Sequence, residues 1–328
     1  MTADISVALC TYNGAEYVEE QLASILEQAR TPDELVVSDD GSSDGTLEVV
    51  AATVAAAAAR GIAPEVVVLA GTAPSGVTAN FERAVAKTTR PLIALSDQDD
   101  IWHADRLSTL AARFDDEGLT FVHTDARLVD EGGAPLGSTL FESLELSDEE
   151  LRLEERGRAF DALLRRNLAT GATVVFRREL LARARPFPPE WVHDEWLAII
   201  AAATGRVGVV RETTIDYRQH GANQIGVTEP TLRYKVRRML EPRGDRNMKL
   251  AKQFAVLADR LETLGEAVPA AYVSAARQKA DFEATRAAMP PNRIRRVGTV
   301  FGLARRRLYS RFASRGRLDI IRDLLQPV

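Results

Sequence analysis

Residues 95–102 read Leu95-Ser96-Asp97-Gln98-Asp99-Asp100-Ile101-Trp102, three carboxylates within four positions directly after the apolar run Pro91–Leu95. A strand that ends in clustered aspartates places negative charge at the carboxyl edge of a sheet, where open α/β sheets bind their ligands. Carboxylates packed this closely repel one another and shift each other's protonation unless a cation lies between them. Asp97 and Asp99, with one residue between them, suit a hard divalent ion such as Mg²⁺ or Mn²⁺. Such ions take oxygen ligands and complete their shell with substrate phosphates. Taken alone, the cluster also reads as an acidic turn that caps the next helix.

The flanking chain favours the sheet edge. Ile5–Leu9, Glu34–Ser38 and Glu65–Leu69 read as three further strands. Between them, Ala15–Arg30 carries Val18, Leu22, Ile25 and Leu26 at helical spacing, and Ser43 or Asp44 is placed to cap an alanine-rich helix that runs to about Arg60. Thr78–Lys87 and the segment after Trp102, with Leu107, Leu110 and Phe114, complete the alternation. Strands alternating with helices at this spacing predict a parallel sheet with helices on both faces. From Leu119–His123 to about Gly226 strands and short helices mix. Beyond Pro230 the pattern is helical, with segments over Leu232–Leu240, Met248–Leu264, Ala270–Met289 and Ile294–Phe312. The expected division is an α/β domain over 1–228 and a basic helical extension over 229–328.

Composition sets bounds on function. The chain has 328 residues, 45% apolar and 27% charged, enough for one large α/β domain with an appendage. Its single cysteine, Cys10, excludes a disulfide framework and a cysteine-built zinc site and fits a reducing compartment. Asp4 interrupts the start where a signal peptide would need an apolar stretch, and the longest candidate span, Trp196–Val210, is broken by Thr204, Gly205 and Arg206. A cytoplasmic protein, at most peripheral at the inner face of the plasma membrane, is expected. The net charge of −5 hides an asymmetry: residues 230–328 carry 22 Lys and Arg against 9 Asp and Glu. The rest is strongly acidic and would repel nucleic-acid phosphates, so no nucleic-acid partner is expected.

Two more strand ends carry polar turns, Asp39-Asp40 and Thr11-Tyr12-Asn13, and in a parallel sheet all three turns share one edge. A nucleoside diphosphate asks for such groups: carboxylates for base N–H and ribose hydroxyls, and a metal for the phosphates. Neither Gly-x-Gly-x-x-Gly nor a Walker-type lysine loop is present, so phosphate charge would be met by metal.

Several of these stretches, in this order, resemble the inverting GT-A-type glycosyltransferases of family 2. Ile5-Ser6-Val7-Ala8-Leu9-Cys10-Thr11-Tyr12-Asn13-Gly14 is similar to the family's opening strand and turn, and Val36-Val37-Ser38-Asp39-Asp40-Gly41-Ser42-Ser43-Asp44-Gly45-Thr46 to its second motif. Residues 95–102 resemble its D-x-D motif as carried by the rhamnosyltransferase-like branch. The likeness covers about residues 4–226 and leaves the helical tail outside. It implies an α/β fold of the GT-A kind, a Rossmann-like, mostly parallel sheet flanked by helices, here with an all-helical C-terminal extension.

The resemblance also implies roles. Thr11 and Asp40 would contact the nucleotide base, with Tyr12 and Asn13 in the same donor-binding turn. Asp97 would sit near the ribose and Asp99 would bind Mg²⁺ or Mn²⁺, with Gln98 and Trp102 as flanking candidates. A nucleotide-diphospho-sugar, with dTDP-rhamnose the leading choice and a UDP-hexose the alternative, would pass its sugar to a surface polysaccharide or lipid-linked glycan in one inverting displacement. That step needs a base for the acceptor hydroxyl. Trp191-Val192-His193-Asp194-Glu195-Trp196 resembles the family's base motif, with Asp194 as base, Glu195 as fallback and His193 as a supporting residue. The alternative for Asp194 is a helix N-cap. Asp216–Asn223 resembles a closing segment of the same branch, in which His220 would complete the metal shell and Arg218 would face the leaving diphosphate. Two departures stand out: Gly71–Gly76 lacks the Asn-x-Gly turn common in relatives, and, as a milder change, Ala172 stands where relatives often have a cysteine or another small residue.

The tail interleaves Arg293, Arg295, Arg296, Arg305-Arg306-Arg307, Arg311, Arg315 and Arg317 with Val297, Val300, Phe301, Leu303, Leu308, Tyr309 and Phe312. This cationic amphipathic pattern suits either an anionic bilayer surface or packing on an acidic body. A non-catalytic nucleotide-sugar-binding protein and a nucleotidyltransferase are the other function classes. Retention of Asp97, Asp99 and Asp194 argues against the first, and the lack of a glycine-rich basic loop against the second.

Overall fold

A computed structural model of the protein describes residues 3–221 and 244–327. The chain divides into two compact units, Met1–Gly157 with Ala169–Val227, and Arg158–Leu168 with Thr228–Val328. The expected boundary at 228/229 and the expected helix Leu232–Leu240 lie outside the described residues.

The first unit is built on β1 (Ile5–Thr11), β2 (Glu34–Asp39), β3 (Glu65–Ala70), β4 (Leu92–Ser96), β5 (Ile101–Trp102), β6 (Leu119–Val129), β7 (Pro135–Thr139), β8 (Val175–Arg177) and β9 (Arg206–Arg218). They form one sheet in the order β3-β2-β1-β4-β8-β6-β9-β5, with β7 on β6. β1, β2, β3 and β4 run parallel, while β8 lies antiparallel between β4 and β6. β1, β2 and β4 are buried at every position, as strands covered on both faces must be, which is why they read as continuous apolar runs. The flanking helices are α1 (Val18–Leu26), α2 (Thr46–Ala59), α3 (Val77–Lys87), α4 (Arg106–Arg113), α5 (Leu140–Ser143) and α6 (Asp148–Glu155). The spacing predicted for α1 is the one that packs: Val18, Leu22, Ile25 and Leu26 are buried against Leu9, Leu35 and Val37 of the sheet. Burying side chains of this size contributes roughly 1.5–3 kcal/mol each.

The stretch after Leu119 is more regular than its sequence suggests. β6 and β9 are the longest strands, 11 and 13 residues, and pair in parallel through several register shifts. β6 is buried at ten of eleven positions, so it shows no period-two alternation to betray it. Two elements of this stretch decide where functional groups fall. β5, just after the acidic turn, pairs antiparallel with the end of β9, Ile101 opposite Asp216. That pairing carries the residues after β9 back to the aspartates. Helix α9 (His193–Thr204), which follows the short α8 (Leu181–Ala184), begins beside the 3₁₀ turn Gly171–Thr173.

The second unit is helical. It contains α7 (Ala159–Leu163), α10 (Arg246–Thr263), α11 (Ala270–Ala287), α12 (Arg293–Arg305), α13 (Leu308–Phe312) and α14 (Leu318–Leu325). Phe160 of α7 stacks on Tyr272 of α11 with ring centroids 4.1 Å apart. The single helix expected over Ile294–Phe312 is broken, because Arg307 takes a left-handed conformation at φ 57°. No described helix is long and apolar enough to cross a membrane.

Candidate active site

Sheet register brings the three polar turns together. Thr11 stands opposite Asp39 and Leu9 opposite Ser96, so β1 and β2 end together and β4 two residues earlier, at the same edge. Hydrogen bonds then knit the turns. Thr11 Oγ1 donates to Asp39 Oδ2 (2.8 Å), the Asn13 N–H to Ser42 Oγ (2.8 Å), and the Ser43 N–H to Asn13 Oδ1 (2.9 Å). Asn13 sits at φ 46°, a conformation asparagine tolerates better than most residues. Gln98 joins the acidic turn to this assembly: its Oε1 accepts from the Tyr12 N–H (2.8 Å) and its Nε2 donates to the Tyr12 carbonyl (3.1 Å). The Tyr12 side chain is left exposed at the edge.

Asp40 is buried and held by the loop that precedes α3. The Ser75 N–H and Oγ and the Gly76 N–H all donate to its carboxylate, at 2.6–2.9 Å. The loop Gly71–Gly76 therefore closes onto Asp40. A base contact by Asp40 would have to share oxygens already serving three donors.

The aspartates separate by environment. Burial, then Asp99 and Asp194, push the Asp97 carboxyl up to about 8. Asp100 is buried, accepts from the Arg218 N–H (3.2 Å), and is likewise pushed upward by burial and its neighbours. It does not cap the next helix, whose N-cap is Asp105. Asp99 Oδ2 lies 2.9 Å from His220 Nε2, the two residues brought together by the β5–β9 pairing. Tyr217 faces the same charges: burial and then Asp100, Asp97, Asp99 and Asp194 raise its phenol. Burial and mutual repulsion thus oppose ionisation of these carboxyls together, an arrangement in which a cation would favour their charged forms.

Arg218 has a different place from the one expected. Its Nε donates to the Asp99 carbonyl (2.9 Å), Nη1 to the Glu131 carbonyl (2.6 Å) and Nη2 to Glu20 Oε2 (2.6 Å). It is a buried clamp on the acidic turn rather than a group aimed at a diphosphate. Tyr17 completes the clamp. Its ring stacks on His220 at 4.7 Å, and its hydroxyl donates to Glu131 Oε1 (3.0 Å). Trp102 is buried below the edge, its indole under the Arg106 guanidinium at 4.6 Å. Arg106 in turn donates to Thr214 Oγ1 and to the carbonyl of Ala172.

Asp194 is in the first turn of α9, whose N-cap is Val192, so the capping alternative does not describe it. Its Oδ2 accepts from the Gly171 N–H (2.9 Å) and its Oδ1 from the Glu195 N–H (2.7 Å), which fixes the carboxylate in one orientation. His193 lies flat on Phe81, centroids 3.9 Å apart, with neither ring nitrogen hydrogen-bonded, and burial lowers its pKa. A methyl on Gly171 would stand 2.8 Å from His193 Nε2, so these two residues set the position of Asp194 between them. Glu195 is pushed up to about 7 by burial and then by Asp194.

Residues 6–184 match the family described as glycosyl transferase family 2, more than half of the chain. The chain belongs to that family. The family 2 resemblance read from residues 4–226, with its GT-A fold, is therefore borne out. Among relatives, a glycosyltransferase of Nostoc sp. is 25% identical over 67% of this chain and 66% of its own length. The dTDP-rhamnosyl transferase RfbG of Shigella flexneri is 34% identical over 30% of this chain and 34% of its own. The chain spans a third to just under two thirds of the length of these relatives. Among solved structures, the mannosyltransferase PcManGT from Pyrobaculum calidifontis, in complex with GDP-Man and Mn²⁺, shares the fold with a TM-score of 0.55 at 19% identity, over 98% of this chain and 86% of that one. TarS 1–349 of S. aureus, in complex with UDP-GlcNAc, has a TM-score of 0.52 at 18% identity, covering 98% and 90%.

Sequence reasoning missed Glu20, Tyr17, Glu131 and Ser75. None carries a motif, and each acts through a partner remote in sequence. Tyr217 had a signal, since it lies between Asp216 and Arg218 in the closing segment that was read.

Proposed function

We propose that this family 2 member moves a sugar from a nucleotide-diphospho-sugar to a hydroxyl of a cell-surface polysaccharide or lipid-linked glycan, with inversion. The observation that carries the reading is the Asp99–His220 pair on the acidic turn beside Asp97, together with an Asp194 carboxylate oriented by the Gly171 and Glu195 N–H groups; the charges of Asp99 and Asp194 also bear on Asp97. Thr11, Tyr12, Asn13 and Asp40 form the adjoining wall and would meet the nucleotide.

Asp99 and His220 would hold Mg²⁺ or Mn²⁺. No cluster of three ligating side chains occurs among the described residues, and one or two protein ligands with the rest from phosphate and water is how Mg²⁺ is usually held. Such an ion, when bound, offsets charge on the diphosphate. Asp194 takes the proton of the acceptor hydroxyl as the acceptor oxygen bonds to the anomeric carbon, and the bond from that carbon to the diphosphate breaks with its electrons leaving on phosphate oxygen. The two N–H donors on Asp194 keep its lone pairs aimed in one direction, which favours a single attack geometry.

A second reading makes Glu195 the base. Its carboxyl, pushed up to about 7, matches the protonation range that suits a general base. Asp194→Asn and Glu195→Gln separate the two: the true base loses transfer while donor binding persists. Rhamnose from dTDP-rhamnose is the leading donor, supported by the likeness to the Shigella flexneri enzyme, with a UDP-hexose as the alternative. Thermal stabilisation by a panel of nucleotide sugars, with and without Mn²⁺ or Mg²⁺, tests the donor; absence of any metal-dependent shift overturns the donor-site assignment.

A further inference from the structure

The second unit contains a helix that is inside out. In α14, Asp319 and Asp323 are buried, followed by the C-cap Gln326, at positions i, i+4 and i+7, while Leu318, Ile321 and Leu325 are exposed at 61%, 44% and 48%. A surface helix normally does the reverse. The Asp323 carboxylate is fully engaged, while Asp319 hydrogen-bonds through Oδ2 and has only a longer ion-pair contact, 3.8 Å from Arg286, at Oδ1. Asp323 accepts from Arg286 Nε (2.7 Å) and from the Tyr309 hydroxyl (2.7 Å), and Asp319 from the Arg315 N–H (3.1 Å). Arg286 also bonds Glu283, which pairs with the buried Lys279. An internal ionic lattice therefore anchors α14 by Asp319 and Asp323 and leaves Leu318, Ile321 and Leu325 facing outward.

Helix α12 also turns an apolar triad outward, although it buries apolar residues as well as an arginine. Arg296, Val300 and Leu303 are its buried residues, and Arg296 ties it to α14 through the carbonyls of Asp323 (3.1 Å) and Gln326 (2.6 Å). Its exposed apolar residues are Ile294, Val297 and Phe301, at 83%, 53% and 68%, again spaced i, i+3, i+7. These two triads make up six of the ten large apolar side chains exposed among the described residues. The structure also selects among the apolar residues read from the tail: Val300, Leu303, Tyr309 and Phe312 are core, so the outward face is a different set from the one the linear pattern suggests.

Charge identifies the occupant. Arg293, Arg295, Arg305, Arg306, Arg307 and Arg317 are exposed around these triads, whereas the only carboxylates in residues 290–327, Asp319 and Asp323, are buried. Residues 290–327 thus expose apolar and cationic side chains and no acid. We propose that the α12–α14 face is a docking surface for an anionic lipid bilayer, the two triads entering the interface and the arginines meeting lipid phosphates. A nucleic acid would match the arginines but leave six apolar side chains unused. A second copy of the chain would oppose arginine to arginine.

The test uses the full chain, co-sedimented with phosphatidylcholine vesicles and with vesicles containing phosphatidylglycerol. Binding to the anionic vesicles is expected. Ile294→Asp with Phe301→Asp, or Leu318→Asp with Ile321→Asp, should lower it at least about tenfold. Arg293→Gln with Arg305→Gln and Arg306→Gln should lower it about a hundredfold at low salt. All are exposed sites, so melting temperature and metal-dependent donor binding should not change, which separates this proposal from the donor-site reading. Three results overturn it: no binding to anionic vesicles, binding indifferent to the apolar substitutions, or self-association in solution that these substitutions abolish while vesicles are ignored.

Discussion

Gly14 is the position at which a single methyl group should report on the whole donor edge. Its φ is not positive, so alanine meets no backbone strain there. A Cβ built on it overlaps the Gln98 side chain at Oε1 and Cδ and comes within 2.7 Å of Nε2. The amide must therefore swing away and give up both hydrogen bonds to Tyr12, at 2.8 and 3.1 Å. At about 1 kcal/mol net for each bond, the loss is about 2 kcal/mol. Reduced freedom of the unfolded chain returns about 0.4–1 kcal/mol, so Gly14→Ala should cost about 1–1.5 kcal/mol. Gln98→Ala removes the same two bonds and should cost about 2 kcal/mol. In that background the methyl meets no amide, so the double variant should be no less stable than Gln98→Ala alone, a coupling of about 2 kcal/mol. Urea unfolding of the four proteins measures the cycle. Costs that simply add, within about 0.5 kcal/mol, would refute the claim that Gly14 is there to admit Gln98.

Other expectations concern the chemistry. Asp194→Asn should lower transfer by roughly 10²–10⁴-fold with donor affinity nearly intact, read by steady-state kinetics and donor titration; parallel loss of both would sink its role as base. Glu195 gives a pH signature. Its folded-state carboxyl is raised to about 7 from 4.5, so between those values the folded protein keeps a proton that the unfolded chain has lost, and stability falls as pH rises through the window. Glu195→Gln should abolish that fall, gaining up to about 3 kcal/mol relative to wild type at pH 8 and almost nothing at pH 4; an equal difference at both pH values contradicts it. His220→Ala should weaken metal-dependent donor binding by about tenfold or more while leaving metal-free nucleotide binding little changed, measured by calorimetry with and without Mn²⁺.

The central strands were legible because parallel strands covered on both faces leave unbroken apolar runs, and Asp97–Asp100 announced where one of them ends. The clamp around that turn was not. Arg218 reaches Glu20 across 198 residues and Glu131 across 87, and His220 meets Asp99 across 121. No local pattern encodes such pairings; they follow from β5 lying on β9, and a two-residue strand leaves no periodicity to read. For the same reason the resemblance of the closing segment set Arg218 facing the diphosphate, whereas its donors are engaged with the turn and with Glu20 and Glu131. In the tail the alternation of arginine with apolar residues was visible, but which apolar residues face inward depends on α14 burying its aspartates, a choice set by Arg286 and Tyr309 rather than by hydropathy.

The most direct test of the central claim is donor titration of wild type and Asp99→Asn against dTDP-rhamnose and UDP-hexoses, with Mn²⁺ or with chelator, followed by calorimetry. The account predicts that one nucleotide sugar binds wild type tightly only with metal present, and that Asp99→Asn loses the metal-dependent part. Equal binding with and without metal, or an Asp99→Asn protein indistinguishable from wild type, would contradict it.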